Sequence, residues 1–525
     1  MLNAFTTALG GALILAAWLL PRHVAAARLR LAAALPLDAA PFIVGGALLL
    51  LTTGRPVFGG IVVFALGAGF ALADWTMRET LREPAVFSEI VELPQVFTHP
   101  QLYLPFAGPG LVIGGAVMAV LAGIALLVFE PPVVAPRPVL GLLCDLAILG
   151  AVWIISREPA LGAVAASMRR LKPSGEPFAD SATLGPMAMQ LVHCAIARAE
   201  RTARRAAVPA PALLRSAQGP ARPVVLVQCE SFFDARRLSP AIPADMLAGF
   251  ERARRSAAMF GRLEVPGWGA NTMRAEFAVL SGIPETALGY DRFNPYYAFA
   301  RKPLGSQVWR LRQAGYRTIC VHPFDRRFFR RDLAMPALGF DRFLGLETLG
   351  GSRRPPYCSD LELAEHILRL LESEGSRSFI FAITMGNHGP WLDMHASGSA
   401  STAAFGGIPQ GSELLRYLDG LRGSDRMLAR LMEGLAERED DPILAFYGDH
   451  LPSLPRAFDH FGFAEPHSDY VIWPRGESPP LRRDLPSHRL GATIVDMLLL
   501  GAGRSGTARS AGGREPVVAA VEARG

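Results

Sequence analysis

Lysine is nearly missing from this chain of 525 residues: Lys172 and Lys302 are the two lysines, so arginine supplies almost all of the 53 basic side chains and the net charge of +6. No run of about five or more basic residues with interleaved aromatics occurs, which excludes the usual footprint of a nucleic-acid binder. The densest basic cluster, Arg326, Arg327, Arg330 and Arg331, suits phosphate or acidic headgroups better than a duplex. Cysteine is scarce as well. Cys144, Cys194, Cys229, Cys320 and Cys358 show no CxxC spacing, so neither a structural zinc site nor a disulfide framework is supported. Cys229 and Cys320 fall inside apolar strand-like runs and read as small buried hydrophobes. No internal repeat is visible.

What the chain has in excess is apolar length. Half of its residues (50%) are hydrophobic and its mean hydropathy is +0.25, too apolar for an ordinary soluble enzyme. The excess sits at the front, in runs at residues 4–20, 40–54, 57–75, 109–128 and 138–156. A cleaved signal peptide would be followed by soluble sequence; further apolar runs follow here, so residues 4–20 read as a retained anchor. Residues 1–156 are therefore expected to be an all-α transmembrane domain of four or five helices, with 40–54 the shortest and a candidate re-entrant segment. Charge counting gives an awkward orientation. With five spans and a cytoplasmic N-terminus, Arg22, Arg28, Arg30, Arg157, Arg169, Arg170 and Lys172 face outward, and the count alone prefers the reverse. Between the third and fourth runs, residues 76–108 carry Pro84, Pro94, Pro100 and Pro105 among short amphipathic pieces and read as a loop or interfacial helices.

After residue 156 the pattern changes. Residues 157–221 read as a connector with a juxtamembrane helix from Met187 to Ala207, and Pro209, Pro211, Pro220 and Pro223 punctuate the approach to the next domain. Residues 222–502 alternate short β-branched runs with helical stretches. The clearest strands are Val224–Cys229, Arg317–Val321, Phe379–Thr384 and Ile443–Tyr447; the clearest helices are Ser306–Ala314, Asp360–Ser373 and Ser412–Ala436. This alternation predicts an α/β domain with a mostly parallel sheet. The tail, 503–525, is predicted to be disordered.

Ligands collect at the carboxyl ends of parallel strands, and the polar residues of this domain emerge there. Glu230 follows the first strand, His322 the second, Asn387-His388 the third and Asp449-His450 the fourth. Each alone is commonplace; together, on separate strands, they form a set able to hold a divalent cation that activates an oxygen nucleophile. Thr272 is the candidate nucleophile, in the glycine-rich turn Gly267-Trp-Gly-Ala-Asn-Thr. The competing reading is a helix N-cap, but Ala275 stands where a capping box needs an acid. A hydroxyl at a helix N-terminus also lies where backbone donors and the helix dipole favour a phosphate.

Five ordered motifs, Glu230-Ser-Phe, Thr272-x-x-x-Glu276-Phe277, His322 to Arg331-Asp332, Asn387-His388-x-Pro390 and Gly448-Asp449-His450, resemble those of the lipoteichoic acid synthase group of the alkaline phosphatase–sulfatase superfamily. The resemblance covers roughly residues 222–500 and implies an alkaline phosphatase/sulfatase-like fold. It implies Glu230, Asp449, His450 and Thr272 as ligands of one divalent ion, manganese first and zinc or magnesium after it, with Thr272 also the nucleophile. His388 would contact the headgroup or handle its proton, and His322, Phe329 and Arg331 would line a phosphoglycerol pocket. Phe329 stands where tryptophan is common, and Arg330 replaces a smaller polar residue. The formylglycine motif of sulfatases, Cys/Ser-x-Pro-x-Arg, is missing at Thr272-Met-Arg-Ala-Glu.

Three functions follow as expectations. The first is a membrane-anchored, metal-dependent phosphoglycerol transferase that takes its group from a phosphatidylglycerol-like donor and passes it to a glycan or polymer acceptor in the cell envelope. The catalytic domain would then lie outside the cytoplasmic (inner) membrane, in the periplasm. The second is a phosphoethanolamine transferase, supported by Gly386-Asn387-His388-Gly389-Pro390. The third is a hydrolase, phosphodiesterase or sulfatase, with water as acceptor.

Overall fold

Each apolar run becomes one long helix in the computed structural model, which describes residues 1–28, 31–208, 221–269, 271–299, 303–349, 358–391, 413–474 and 479–500. The five helices are Leu2–Val24, Leu35–Thr53, Pro56–Leu81, Pro109–Phe129 and Pro138–Ile155. All five are long and apolar enough to cross a bilayer. The second run, short when read from the sequence, reaches 19 residues because the helix starts at Leu35 and takes in Asp38. That acid is fully buried. It accepts hydrogen bonds from Trp18 Nε1 at 2.7 Å, from Arg22 at 2.6 Å, and from the Met187 and Ala188 amides at 2.9 and 3.0 Å. One carboxylate thus joins the first two spans to the start of the juxtamembrane helix, Pro186–Ala207.

The helix ends fall into two groups. On the face away from the connector, the Val133 amide donates to the Gly54 carbonyl at 2.8 Å, and the Glu130 carboxylate takes the Val57 and Phe58 amides at 2.8 Å each, capping the third span. On the other face lie the end of the first span, the start of the second and the end of the third. The five spans therefore alternate, and residues 82–108 share a face with the connector. Arg22 is neutralised by Asp38, Arg78 by Asp74 and Arg169 by Glu200. Counting arginines along the chain thus overstates the free positive charge on this face.

Residues 82–108 form short helices, among them Phe87–Val91, Leu93–Thr98 and Leu104–Ala107. Ile90, Leu93 and Phe97 point outward, while Leu102 packs against Phe324, Phe328 and Met385 of the following domain. The predicted Met187–Ala207 helix starts one residue earlier, at Pro186, where proline suits the first turn. Pro209, Pro211 and Pro220, and the tail 503–525, lie outside the described residues.

The catalytic-type domain is built on one sheet of nine strands: β1 (Val224–Cys229), β2 (Met259–Glu264), β3 (Arg317–Val321), β4 (Arg342–Leu344), β5 (Ser378–Ile383), β6 (Ile443–Gly448), β7 (His467–Trp473), β8 (Leu481–Arg482) and β9 (Leu485–Pro486). The order is β4-β3-β5-β1-β6-β7-β2-β8, with β9 beside β2. The centre, β3-β5-β1-β6, is parallel, and β7 is antiparallel to both of its neighbours. The four strands read from the sequence are these central ones. They were legible because strands covered on both faces are continuous apolar runs, whereas β2 alternates buried with part-exposed residues. Val225, Val227 and Phe446 face a core shared with helices Asp360–Glu374 and Glu413–Ala436; Val224, Leu226 and Tyr447 face the helices Thr272–Ser281 and Gln307–Gln313.

Replacing Asp38 with alanine leaves Arg22 buried without a counter-charge, an expected cost of about 3–5 kcal/mol. The expected outcome in detergent is a lower melting midpoint and faster proteolysis for the membrane domain and connector, with the catalytic-type domain melting as in the parent.

Candidate metal centre and nucleophile

The register of the central strands sets the site. Gln228 pairs with Ile383, and Cys229 pairs with Gly448. Glu230, Thr384 and Asp449, the next residues on β1, β5 and β6, therefore leave the sheet side by side. Gly448 is required here because any Cβ would run into the Phe232 carbonyl. Ser231 then turns back with φ of 54°, a left-handed conformation that side chains rarely adopt. Its amide donates to Asp449 Oδ1 at 2.9 Å and its hydroxyl to Glu230 Oε1 at 2.9 Å. The Glu230 amide donates to Thr384 Oγ1 at 3.0 Å, and the His450 amide to Asp449 Oδ1 at 2.9 Å.

Glu230, Asp449 and His450 are all buried, and one ligand atom from each lies within 4.8 Å of the others. His450 Nδ1 lies 2.8 Å from the Leu451 carbonyl, which can only accept, so Nδ1 carries a proton and the neutral ring keeps its lone pair on Nε2. That Nε2 stands 3.5 Å from Glu230 Oε1, 3.4 Å from Asp449 Oδ2 and 3.3 Å from Thr272 Oγ1. Among the described residues Asp449 Oδ2 is buried with no well-formed hydrogen bond. Burial, reinforced by Glu230 and partly offset by His450, pushes the Asp449 carboxyl up to about 7. Burial opposes charge on His450, yet Asp449 and Glu230 hold its imidazole above the usual range. Two carboxylates, an imidazole lone pair and a hydroxyl with an orphaned oxygen among them form a donor set that a divalent cation fits.

Thr272 is the first residue of its helix, Thr272–Ser281, and is buried. The N-cap position considered for it falls instead to Asn271, whose φ is 67° and whose side chain makes no capping hydrogen bond. Asparagine tolerates the left-handed region better than threonine. The hydroxyl is thus free to face the carboxylates, beside the first amides of the helix, which have no intrahelical acceptor.

His322, Phe329 and Arg331 make a second group. Arg331, fully buried, donates Nε to Glu276 Oε1 at 3.0 Å and NH2 to Glu276 Oε2 at 2.9 Å. Its remaining edge, NH1, lies 3.3 Å from His322 Nε2. Burial and then the neighbouring guanidinium hold His322 well below the usual histidine range, so it stands neutral. Phe329 is half-buried, with φ of 54°, and the Arg331 guanidinium lies 5.3 Å from its ring centre. His388 sits on the partly exposed turn after β5, with Nδ1 2.6 Å from the Gly389 carbonyl. The structure thus brings Glu230, Thr272, Asp449 and His450 to one point, while the Arg331 fork is engaged by Glu276.

Glu276 carried no role in the sequence reading beyond its place in the motif. It accepts from Arg331, from Gln228 Nε2 at 3.0 Å and from the Tyr296 hydroxyl. Its position four residues after Thr272, one turn down the same helix, was the available signal. Ser231 and Thr384 were also missed. Asp360 was missed too, although it anchors the turn before His388 by accepting from the Gly386 amide at 3.0 Å and the Ser424 hydroxyl at 2.7 Å.

Known proteins resemble this chain in sequence and in overall fold. The capsular polysaccharide biosynthesis protein RkpI of Rhizobium meliloti is 29% identical over 438 residues, covering 80% of this chain and 78% of its own. The integral membrane lipooligosaccharide phosphoethanolamine transferase A of Neisseria meningitidis superposes with a TM-score of 0.50 at 13% identity, covering 93% of this chain and 95% of its own, and so shares the fold. Residues 224–498, more than half of the chain and spanning the whole nine-stranded domain, match the Sulfatase family, and the chain belongs to that family.

Proposed function

We propose that this protein is a metal-dependent phosphotransferase that moves the phospho-headgroup of a membrane phospholipid, phosphoglycerol in the first instance, through Thr272 to a cell-envelope glycan. The observation that carries the reading is the Thr272 hydroxyl 3.3 Å from His450 Nε2, at the centre of the buried Glu230, Asp449 and His450 cluster. Glu230, Asp449, His450 and the Thr272 oxygen would hold the ion. When bound, a divalent cation there lowers the pKa of the threonine hydroxyl and neutralises charge on a phosphodiester.

Thr272 Oγ, as the alkoxide after its proton has passed to solvent, attacks phosphorus, the bond from phosphorus to the diacylglycerol oxygen breaks, and protonated His388 supplies the proton that the leaving oxygen needs. A phosphothreonine carrying the headgroup results. In the second half, His388 takes the proton from an acceptor hydroxyl, which attacks phosphorus and releases Thr272. His322 is a poor proton carrier, since Arg331 faces its Nε2 and burial keeps it neutral. His322, Phe329 and Arg331 form one wall of the headgroup space. Five spans and the outward apolar residues Ile90, Leu93 and Phe97 support a donor drawn from the bilayer. The glycan acceptor has support from the relative named for capsular polysaccharide biosynthesis.

The second reading, a phosphoethanolamine headgroup, is favoured by a fold match that extends through the membrane helices to a protein of that name. Both place the domain outside the cytoplasm, with the N-terminus inside. The water-accepting hydrolase differs in the fate of the headgroup, which is released free.

With labelled phosphatidylglycerol and manganese, the purified protein is expected to release diacylglycerol and to carry the headgroup on Thr272. Thr272→Ala removes the adduct and lowers turnover by roughly ten-thousandfold; full activity in that variant would sink the mechanism, and a preference for phosphatidylethanolamine would favour the second reading. Chelation, or Asp449→Asn, is expected to abolish manganese binding measured by calorimetry while leaving the fold intact by circular dichroism. A reporter that is active only outside the cytoplasm, fused to the C-terminus, is expected to be active; a silent fusion that is made in full contradicts the orientation.

A further inference from the structure

The loop that delivers Thr272 is held from the membrane side as well as from the sheet. Arg274, two residues into the helix, is 6% exposed and sends NH1 to both oxygens of Glu83 at 3.0 and 2.8 Å. Its Nε and NH2 go to Glu285 Oε1 at 3.1 and 2.9 Å. Glu83 follows the third span directly. Arg82, next to it, lies with its guanidinium 4.0 Å from the Trp268 ring centre and 3.2 Å from Asp459. The Thr80 carbonyl accepts the Ser453 hydroxyl at 2.6 Å. It also presses on Gly269 so closely that an added Cβ would stand 2.5 Å from it. The last turn of the span and the two residues after it therefore touch both loops of the site, at residues 268–274 around Thr272 and at Ser453, three residues after His450.

The two loops are tied to each other at the same place. The Leu451 amide donates to the Trp268 carbonyl at 2.9 Å, and the Leu451 carbonyl is the partner of His450 Nδ1. A shift of the 267–274 turn thus moves Thr272 and the His450 support together. An exposed ion pair would matter little here, but Arg274 is buried, and its charge is met by Glu83 and Glu285.

We infer that the end of the third span positions the nucleophile: Glu83, with Arg82 and the Thr80 carbonyl, fixes the 267–274 turn through Arg274, Trp268 and Gly269, and so holds Thr272 Oγ1 on the metal-binding cluster. Glu83 and Arg82 are positioning residues, remote from the reacting atoms. This rests on the reading of Thr272 as nucleophile. Its consequence is that the membrane helices complete the catalytic geometry in addition to anchoring it.

The test uses the full chain in nanodiscs, with Glu83→Gln, Glu83→Asp and Arg82→Ala, and a short-chain, water-soluble phosphatidylglycerol as donor so that bilayer access does not enter. In the metal-free protein, Glu83→Gln is expected to speed amide exchange several-fold in 267–274 and to leave strand β6 unchanged. With manganese, kcat is expected to fall between about ten- and a hundredfold, with KM and the manganese dissociation constant unchanged, and Glu83→Asp is expected to recover most of the loss. Unchanged exchange in the loop, a loss that tracks weakened metal binding, or equal losses in Gln and Asp would overturn the inference. Fully active Glu83→Gln beside inactive Thr272→Ala sinks this inference alone, whereas a fully active Thr272→Ala sinks the nucleophile reading beneath it.

Discussion

A carboxylate cut off from water must be met by donors from the protein, and Glu276 imposes that demand on the whole catalytic-type domain. It has no solvent exposure and lies one helical turn below Thr272. Arg331, Gln228 and Tyr296 converge on it from three other segments. The Tyr447 hydroxyl reaches Gln228 in turn, so β1, β6, the helix Thr272–Ser281 and the segment after β3 share one buried polar network. A half-satisfied network of this kind would cost more than an apolar core, because unpaired charge in a low dielectric is expensive. Satisfied, it sets the depth of the helix Thr272–Ser281 against the strands that bring Glu230 and Asp449.

Above that network the electrostatics reverse. Glu230 and Asp449 crowd negative charge into a buried space, and His450 is turned so that its lone pair, not its proton, joins them. Among the described residues Asp449 Oδ2 accepts no well-formed hydrogen bond, His450 Nε2 standing 3.4 Å from it. The lower layer is therefore closed by its own ion pair, while the upper one is built to receive a cation. Such a layering leaves the Thr272 hydroxyl on a rigid helix beside a local excess of carboxylate oxygens.

The membrane helices obey the same logic of paired burial. Asp38 gathers Trp18, Arg22 and the start of the juxtamembrane helix, and Glu130 caps the third span on the far face. Each pairing removes an arginine or a helix end from solvent. Charge counting along the chain treats these arginines as free, whereas Arg22 is paired with Asp38 inside the helices.

Hydrophobic length and periodicity located the five apolar runs, the four central strands and helices between them, because those signals are local and each of those strands is buried on both faces. The rim residues were legible for the same reason: a polar residue directly after an apolar strand must emerge at the sheet edge. The antiparallel side of the sheet was not, since β2 carries a half-solvated pattern and pairs with β7 across a distant segment of the chain. Only the tertiary structure decided that Arg331 spends its fork on Glu276, that Asn271 takes the cap and frees Thr272, and that Glu83 reaches Arg274 across 191 residues. Those contacts join segments far apart in the chain, and which buried charge meets which is settled only when the packed elements leave each one a single partner within reach.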